Sequence, residues 1–444
     1  MQHASHNSKY ILGISFISAL GGYLFGFDFA VISGALPFLQ QQFGLSAYWE
    51  GFATGCLALG AIAGCLVAGG IADRYGRKMG LLLAAVIFGL SSLAMACAPD
   101  RNLFIAGRFV AGIGVGMASM LSPMYIAEVS PAHLRGRMVA INQLTVVIGI
   151  LITNLVNYSL RNNGPDAWRW MFGLGIIPSA IFLGGAVWLP ESPRWLTKVG
   201  RIAEATAILE KIGDVDHARI SMAGIRQSQE TDHTRTGFKA IVQESVLPAV
   251  VIGVVLAVFQ QLCGINVVFN YTPRIFASIG VSQSEQLLQT VFLGVVNLVF
   301  TIVAMLLVDK LGRKPLMLFG AGGLAILYVI VVSMLGQGST HVSWYLMAAI
   351  GVYAMSLAPV TWVLISEIFP NRIRAVASSV AVLSLWAAYF ILVFTFPVLF
   401  EKFKDNTFYI YATICLLGFV FIWFKIKETK GKTLEELEGF IAGH

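Results

Sequence analysis

The chain has 444 residues, 57% of them hydrophobic and 12% charged, with a formal net charge of +7. A soluble domain carries about 25% charged and roughly 45–50% apolar residues, so this composition excludes a soluble enzyme, a disordered chain and a disulfide-stapled secreted domain. A mean hydropathy of +0.77 describes an integral membrane protein, whose basic excess belongs on cytoplasmic loops and not on a nucleic acid.

A bilayer core about 30 Å thick needs about 20 apolar residues per helical crossing. After the short polar stretch 1–9, apolar segments are predicted at 10–36, 50–72, 79–98, 103–127, 138–158 and 169–189. Six more follow at 246–270, 287–308, 315–335, 342–366, 376–399 and 407–424. With no water in the hydrocarbon to satisfy backbone groups, these segments are helices, giving an all-α fold of twelve spans in two sets of six. The first run lacks a small-residue cleavage motif and is read as a span, not a removed signal peptide. Between the sets lies the polar stretch 191–244, where Ile202–Glu210 has a helical pattern and 227–236 is polar and expected to be mobile. The expected organisation is a six-helix half at 1–190, a linker with short helices at 191–244, a second half at 245–426 and a tail at 427–444. Twelve spans put both termini on one side. Placing them inside leaves 23 of the 30 Lys and Arg on inner loops and 6 on outer ones, with Arg108 inside a span. Both termini and the central loop are therefore expected in the cytoplasm.

The halves repeat. Asp73-Arg74-Tyr75-Gly76-Arg77-Lys78 follows the second span, and Asp309-Lys310-Leu311-Gly312-Arg313-Lys314 follows the eighth, 236 positions later. Glu128, Pro131 and Arg135 recur with the same spacing as Glu367, Pro370 and Arg374, 239 positions on. Pro190-Glu191-Ser192 recurs as Lys427-Glu428-Thr429, at an offset of 237. Parallel repeats of six spans place a substrate site between the halves near mid-membrane. The five cysteines, Cys56, Cys65, Cys97, Cys263 and Cys415, lie in apolar stretches without CxxC spacing. They are read as small buried hydrophobes, with no metal site and no disulfide framework.

Several motifs carry a family resemblance. They are Gly69-x3-Asp73-Arg74-x-Gly76-Arg77-Lys78, the run Pro190-Glu191-Ser192-Pro193-Arg194-Trp195-Leu196, Gln260-Gln261-x3-Ile265-Asn266, and Glu428-Thr429-Lys430-Gly431 with Glu435-Glu436. On these the chain resembles the sugar porter family of the major facilitator superfamily over roughly residues 9–436. It is most similar to bacterial pentose and hexose proton symporters and to mammalian glucose facilitators. Short outer loops favour the bacterial side, hence a bacterial inner membrane.

Asp28 is the one acidic residue well inside a span, and Arg108 the one basic residue. A charge at mid-membrane costs a few kcal/mol or more and needs a partner, a proton or water. Burial disfavours an ionised carboxyl and a nearby cation favours it, so a group balanced between them can load and release a proton. The resemblance implies that Asp28 and Arg108 pair and that Asp28 is the proton site, with Phe27 beside it. The alternative is a static ion pair tying the first helix to the fourth.

A sugar needs neutral hydrogen bonds and a flat apolar face, which amides and aromatic rings supply. The resemblance places Gln143, Gln260, Gln261, Asn266 and Asn297 at sugar-contacting amide positions, with Phe25, Trp362 and Trp386 as aromatics. Gln261 and Asn266 can line one cavity only where their helix is broken, which Gly264 permits. The alternatives are interhelical bonds for the amides and interface anchoring for Trp362. The chain departs from the family pattern at Ile150, Ala358, Asn270-Tyr271 and Leu385. Asp73, Arg77, Glu128, Arg135, Glu191 and Arg194, with Asp309, Arg313, Glu367 and Arg374, are implied to be conformational latches. Their alternative is solvated positive-inside charge. Ala375 replaces the glycine expected after Arg374.

The expected function is import of a monosaccharide with a proton. The proton is the coupling ion, there is no cofactor and no metal, and a monomer in membrane lipid is the working unit. A passive facilitator is the near alternative. A non-transporting sugar sensor and a drug–proton antiporter are weaker ones. An enzyme is weakest, because the sequence has no P-loop, HExxH or nucleophile elbow.

Overall fold

A computed structural model describes residues 7–131, 134–231, 246–369 and 373–430, apart from the side chains at 228–231, 308–309, 366 and 374–375. The linker from 232 and the tail beyond Lys430 lie outside the described residues, as do the side chains of Asp309 and Arg374.

The chain opens with five continuous helices, α1 (Ser8–Phe43), α2 (Ala47–Tyr75), α3 (Arg77–Ala96), α4 (Arg101–Val129) and α5 (Arg135–Leu160). The sixth span is split into α6 (Ala167–Gly173) and α7 (Ile176–Trp188). Three short helices follow, α8 (Pro193–Lys198), α9 (Ile202–Ile212) and α10 (Val215–Thr231). The seventh span is again split, into α11 (Leu247–Leu262) and α12 (Ile265–Ala277), and is followed by α13 (Gln283–Leu311) and α14 (Arg313–Gly336). The tenth is split into α15 (Val342–Met355) and α16 (Leu357–Ile368), and the last described helices are α17 (Arg374–Phe403) and α18 (Thr407–Lys425). A 29-residue helix such as α2 is about 44 Å long at 1.5 Å per residue, enough to cross a bilayer. Among the described residues eleven stretches are long and apolar enough for that, and the last, Val376–Lys425, holds both α17 and α18 around the 3-10 turn Lys404–Asn406. All twelve expected segments are therefore helical, and the protein is a multi-pass membrane protein.

The breaks have local causes. Gly264 has φ +87°, which a side chain would strain, and it separates α11 from α12. Ser356, at φ −125° and ψ −84°, ends α15, and its Oγ donates back to the Val352 carbonyl. Inside α12, Tyr271 leaves helical geometry two residues before Pro273, which lacks an N–H and crowds the preceding turn.

The helices pack as two compact units. Unit 1 comprises Met1–Asp28, Gly60–Ile150 and Phe172–Arg235. In it α2 and α4 meet through small residues: a Cβ on Gly60 or Gly64 would stand 2.0 or 2.2 Å from the Phe109 or Ile113 carbonyl oxygen. Such close backbone approach is the usual way membrane helices gain packing contact. Unit 2 comprises Phe29–Leu59, Leu151–Met171 and Thr236–His444. Here Gly51 and Gly55 of α2 lie against Phe394 and Phe390 of α17, and Gly294 of α13 lies against Leu151 and Asn154 of α5. Large apolar side chains such as Leu90, Trp188, Leu306 and Leu417 remain exposed, as suits helices solvated by hydrocarbon.

Candidate substrate and proton sites

Unit 1 holds a fully buried ion pair. Asp28 on α1 and Arg108 on α4 are both fully buried, with Arg108 Nη1 donating to Asp28 Oδ2 at 2.8 Å. The same Nη1 lies 3.5 Å from the Asp28 carbonyl oxygen. Asp28 Oδ1 has no hydrogen-bond partner among the described residues. The guanidinium carbon of Arg108 sits 5.8 Å from the Phe172 ring centre, and Phe27 meets Phe88 edge-on at 6.2 Å. Position follows from packing: Gly26 lies so close to α5 that a Cβ would be 2.0 Å from the Val146 carbonyl oxygen. Two charges this deep hold each other, and losing one leaves the other uncompensated, at a cost of about 3–5 kcal/mol. Phe25, on the same helix, is half-buried, and Gln143 on α5 is exposed.

Unit 2 holds a chain of buried amides around the Gly264 break. Gln260 Nε2 donates to the Ala358 carbonyl at 3.1 Å and lies 3.3 Å from that of Leu357. Gln261 Nε2 donates to Gln260 Oε1 at 3.3 Å, and Asn266 Nδ2 donates to Gln261 Oε1. The left-handed residue between them lets a pair five positions apart face each other. One turn further on, Asn270 Nδ2 donates to the Asn266 carbonyl at 2.7 Å and to Tyr389 Oη at 3.1 Å. Tyr389 meets Trp386 at 5.9 Å and Phe29 at 5.9 Å. Trp386 is buried, whereas Trp362 is 43% exposed. Asn297 on α13 is buried and its amide makes no hydrogen bond among the described residues.

Of the departures, Ile150 and Leu385 are buried, Ala358 serves through its carbonyl, and Asn270 is drawn into the amide chain. Tyr389 was missed by sequence reasoning. Its signal was its position one helical turn after Trp386. Cys97, expected to be buried, is exposed, because it ends α3 as the C-cap.

The latch candidates form two networks, one in each unit. In unit 1, Arg77 Nε donates to Glu128 Oε2 at 3.0 Å, Nη2 to Oε1 at 3.0 Å, and Nη1 lies 3.4 Å from Asp73 Oδ1. Glu191 Oε1 accepts from the backbone N–H of Arg77 at 2.9 Å and of Lys78 at 3.2 Å. The carboxylate thus caps the start of α3, where unsatisfied N–H groups favour an anion. Ser192 Oγ donates to Glu128. Arg135 Nε donates to the Ala127 carbonyl at 3.1 Å. In unit 2, Arg313 Nη2 donates to Glu367 Oε1 at 3.1 Å, and Glu428 Oε1 accepts from the Arg313 N–H at 2.9 Å. Thr429 Oγ1 donates to Glu367 at 2.6 Å.

Known proteins resemble this chain over nearly its whole length. The profile of the sugar (and other) transporter family matches residues 14–440. The chain is 39% identical to the D-xylose-proton symporter of Escherichia coli (strain K12), over 98% of this chain and 96% of the relative. It is 42% identical to the glucose transport protein of Synechocystis sp., over 97% of each. Among solved structures it is similar to the inward open conformation of the xylose transporter XylE from E. coli. That likeness has a TM-score of 0.86 and 38% identity, and covers 97% of this chain and 100% of that one.

Proposed function

The chain belongs to the sugar (and other) transporter family, and we propose that it imports a monosaccharide, a pentose or hexose, together with a proton. The observation that carries the reading is Asp28, fully buried against Arg108 with one carboxylate oxygen left open. A proton arriving on Oδ1 removes the carboxylate charge. Arg108 then stays buried without its counter-charge, a costly state that favours rearrangement of α1 against α4 or entry of water. Alternating access between the six-helix halves 1–190 and 245–426 converts that preference into movement about the site.

The amide chain supplies the sugar side. Gln260, Gln261 and Asn266 now bond to one another, and sugar hydroxyls, being both donors and acceptors, can replace those bonds one for one. Asn297 offers an unused amide, while Gln143, Phe25, Trp362 and Trp386 complete the set we assign to sugar. The two charged networks act as latches at the cytoplasmic ends, where both termini lie. The working unit is a monomer in the bacterial inner membrane, with the proton as sole coupling ion. At roughly 150 mV one proton per sugar sustains an accumulation of several hundredfold, from about 2.3 kcal/mol per charge per 100 mV and about 1.4 kcal/mol per decade.

The test uses cells lacking their own sugar porters, in weakly buffered medium. Xylose, glucose, galactose, arabinose, fucose and inositol are added singly while external pH is recorded. One of them triggers alkalinisation, and Asp28→Asn abolishes it. Uptake of labelled sugar without a pH change, insensitive to an uncoupler, would make the protein a passive facilitator.

A further inference from the structure

Unit 2 contains a second, largely buried ion pair that the transport chemistry does not use. Glu50, near the start of α2, has its side chain 3% exposed, and Arg274, near the end of α12, 21%. Arg274 Nη1 donates to Glu50 Oε2, and the Glu401 carboxylate at the end of α17 also acts on Arg274 electrostatically. A cavity of about 80 Å³ beside the pair is lined by Gln40, Glu50, Arg274 and Gln286 among others. The pair sits at the N-terminal end of α2, the end opposite Asp73 on that helix. Next to it, Tyr48 and Phe52 of α2 close on Phe390 and Phe394 of α17, with ring centres 5.2–6.3 Å apart. Arg274 also rides on the short helix between Gly264 and Ala277 that carries Asn266 and Asn270, a segment already broken at Gly264 and kinked at Tyr271.

We propose that Glu50 and Arg274 form a charge clamp that fixes the closed arrangement of the outer ends and must separate each time those ends open. When α2 and α12 part, both charges regain water. When they close, the pair is desolvated and each charge depends on the other. Removing Arg274 leaves Glu50 a buried uncompensated charge in the closed arrangement alone, removing Glu50 leaves the part-buried Arg274 with only Glu401, and removing both leaves two neutral groups with little penalty. Because Arg274 shares α12 with the amides, rearrangement at Asn266 or Asn270 reaches the clamp along one helix. The clamp rests on the transporter reading, but not on which sugar or ion is carried.

The test is thiol labelling of the full-length chain with its five native cysteines replaced and a reporter at Phe390→Cys. A membrane-impermeant maleimide is applied from outside the cells. Glu50→Gln and Arg274→Gln each label about tenfold faster than the parent, and the double variant returns to within about twofold of it. A second reporter, Phe52→Cys, gives the same order if Phe390→Cys disturbs folding. Equal rates in all four chains would overturn the clamp, and so would a double variant as fast as the singles. Labelling needs neither sugar nor proton, so failure of the symport reading leaves this result interpretable.

Discussion

The two networks at the ends of α2–α3 and α13–α14 are built alike, and they differ in one respect. Gly76 at φ +96° and ψ 164° and Gly312 at φ +90° and ψ 159° present the same turn. In each a glutamate from 114 or 115 positions later caps the next helix. Lys78 Nζ reaches the Val187 carbonyl at 2.6 Å, and Lys314 Nζ that of Trp423 at 2.8 Å. Yet burial pushes the Glu191 carboxyl above its usual pKa despite its backbone donors, while at Glu428 the backbone donors outweigh burial and hold the carboxyl below it. Glu428 accepts from four backbone N–H groups against three at Glu191 and is less deeply buried, so similar turns give opposite protonation preferences.

The largest effect expected from this comparison is at the turns. A Cβ on Gly76 would stand 2.1 Å from Glu191 Oε2, against 2.8 Å from Glu428 Oε2 for Gly312. Gly76→Ala should cost about 2–4 kcal/mol, and Gly312→Ala less, about 1–2 kcal/mol, from positive φ plus steric overlap. Thermal unfolding in detergent checks the order. Equal losses would mean that the carboxylate contact does not matter.

Next is the arginine fork. Arg77→Lys removes a two-pronged grip on Glu128 and should lower stability by about 1.5–3 kcal/mol, as expected for hydrogen bonds to charged groups. Glu428→Gln and Glu191→Gln then separate the carboxyls. A carboxyl with a lowered folded pKa contributes stability above its unfolded value, lost as pH falls through the folded one. A carboxyl with a raised folded pKa contributes only below the unfolded value, and this is lost as pH rises. At pH 7 Glu428→Gln should therefore cost more, by about 1 kcal/mol. The two variants should converge near pH 3–4, below the ordinary Glu pKa of about 4.3. A gap unchanged between pH 7 and that range would break the assignment. The smallest effect is at the hydroxyls. Ser192→Ala costs about 1 kcal/mol, and Thr429→Ala less, because Ser192 also accepts from the Trp195 N–H as the N-cap of α8.

Much of this was legible in the sequence. Apolar run length dictated the spans, and the repeated Asp-Arg/Lys-x-Gly-Arg-Lys pattern marked the paired turns. Asp28 and Arg108 stood out because a membrane leaves isolated charges few options. Other features rest on contacts between helices far apart in the chain. Glu50 and Arg274 lie 224 positions apart, each near a span end where a charge attracts no notice. Tyr389 is indistinguishable by composition from any other aromatic in α17. The splits at Gly175 and Ser356 fall within continuous apolar runs, so periodicity alone does not reveal them.

The most direct test of the central claim is sugar movement in proteoliposomes, with the substrate found in cells, under an imposed proton gradient and then without one. The account predicts that the parent concentrates sugar with the gradient and exchanges it without. Asp28→Asn should keep the exchange and lose the concentration. A mutant that still concentrates sugar, or a parent that never does, would contradict the assignment of Asp28 as the proton site.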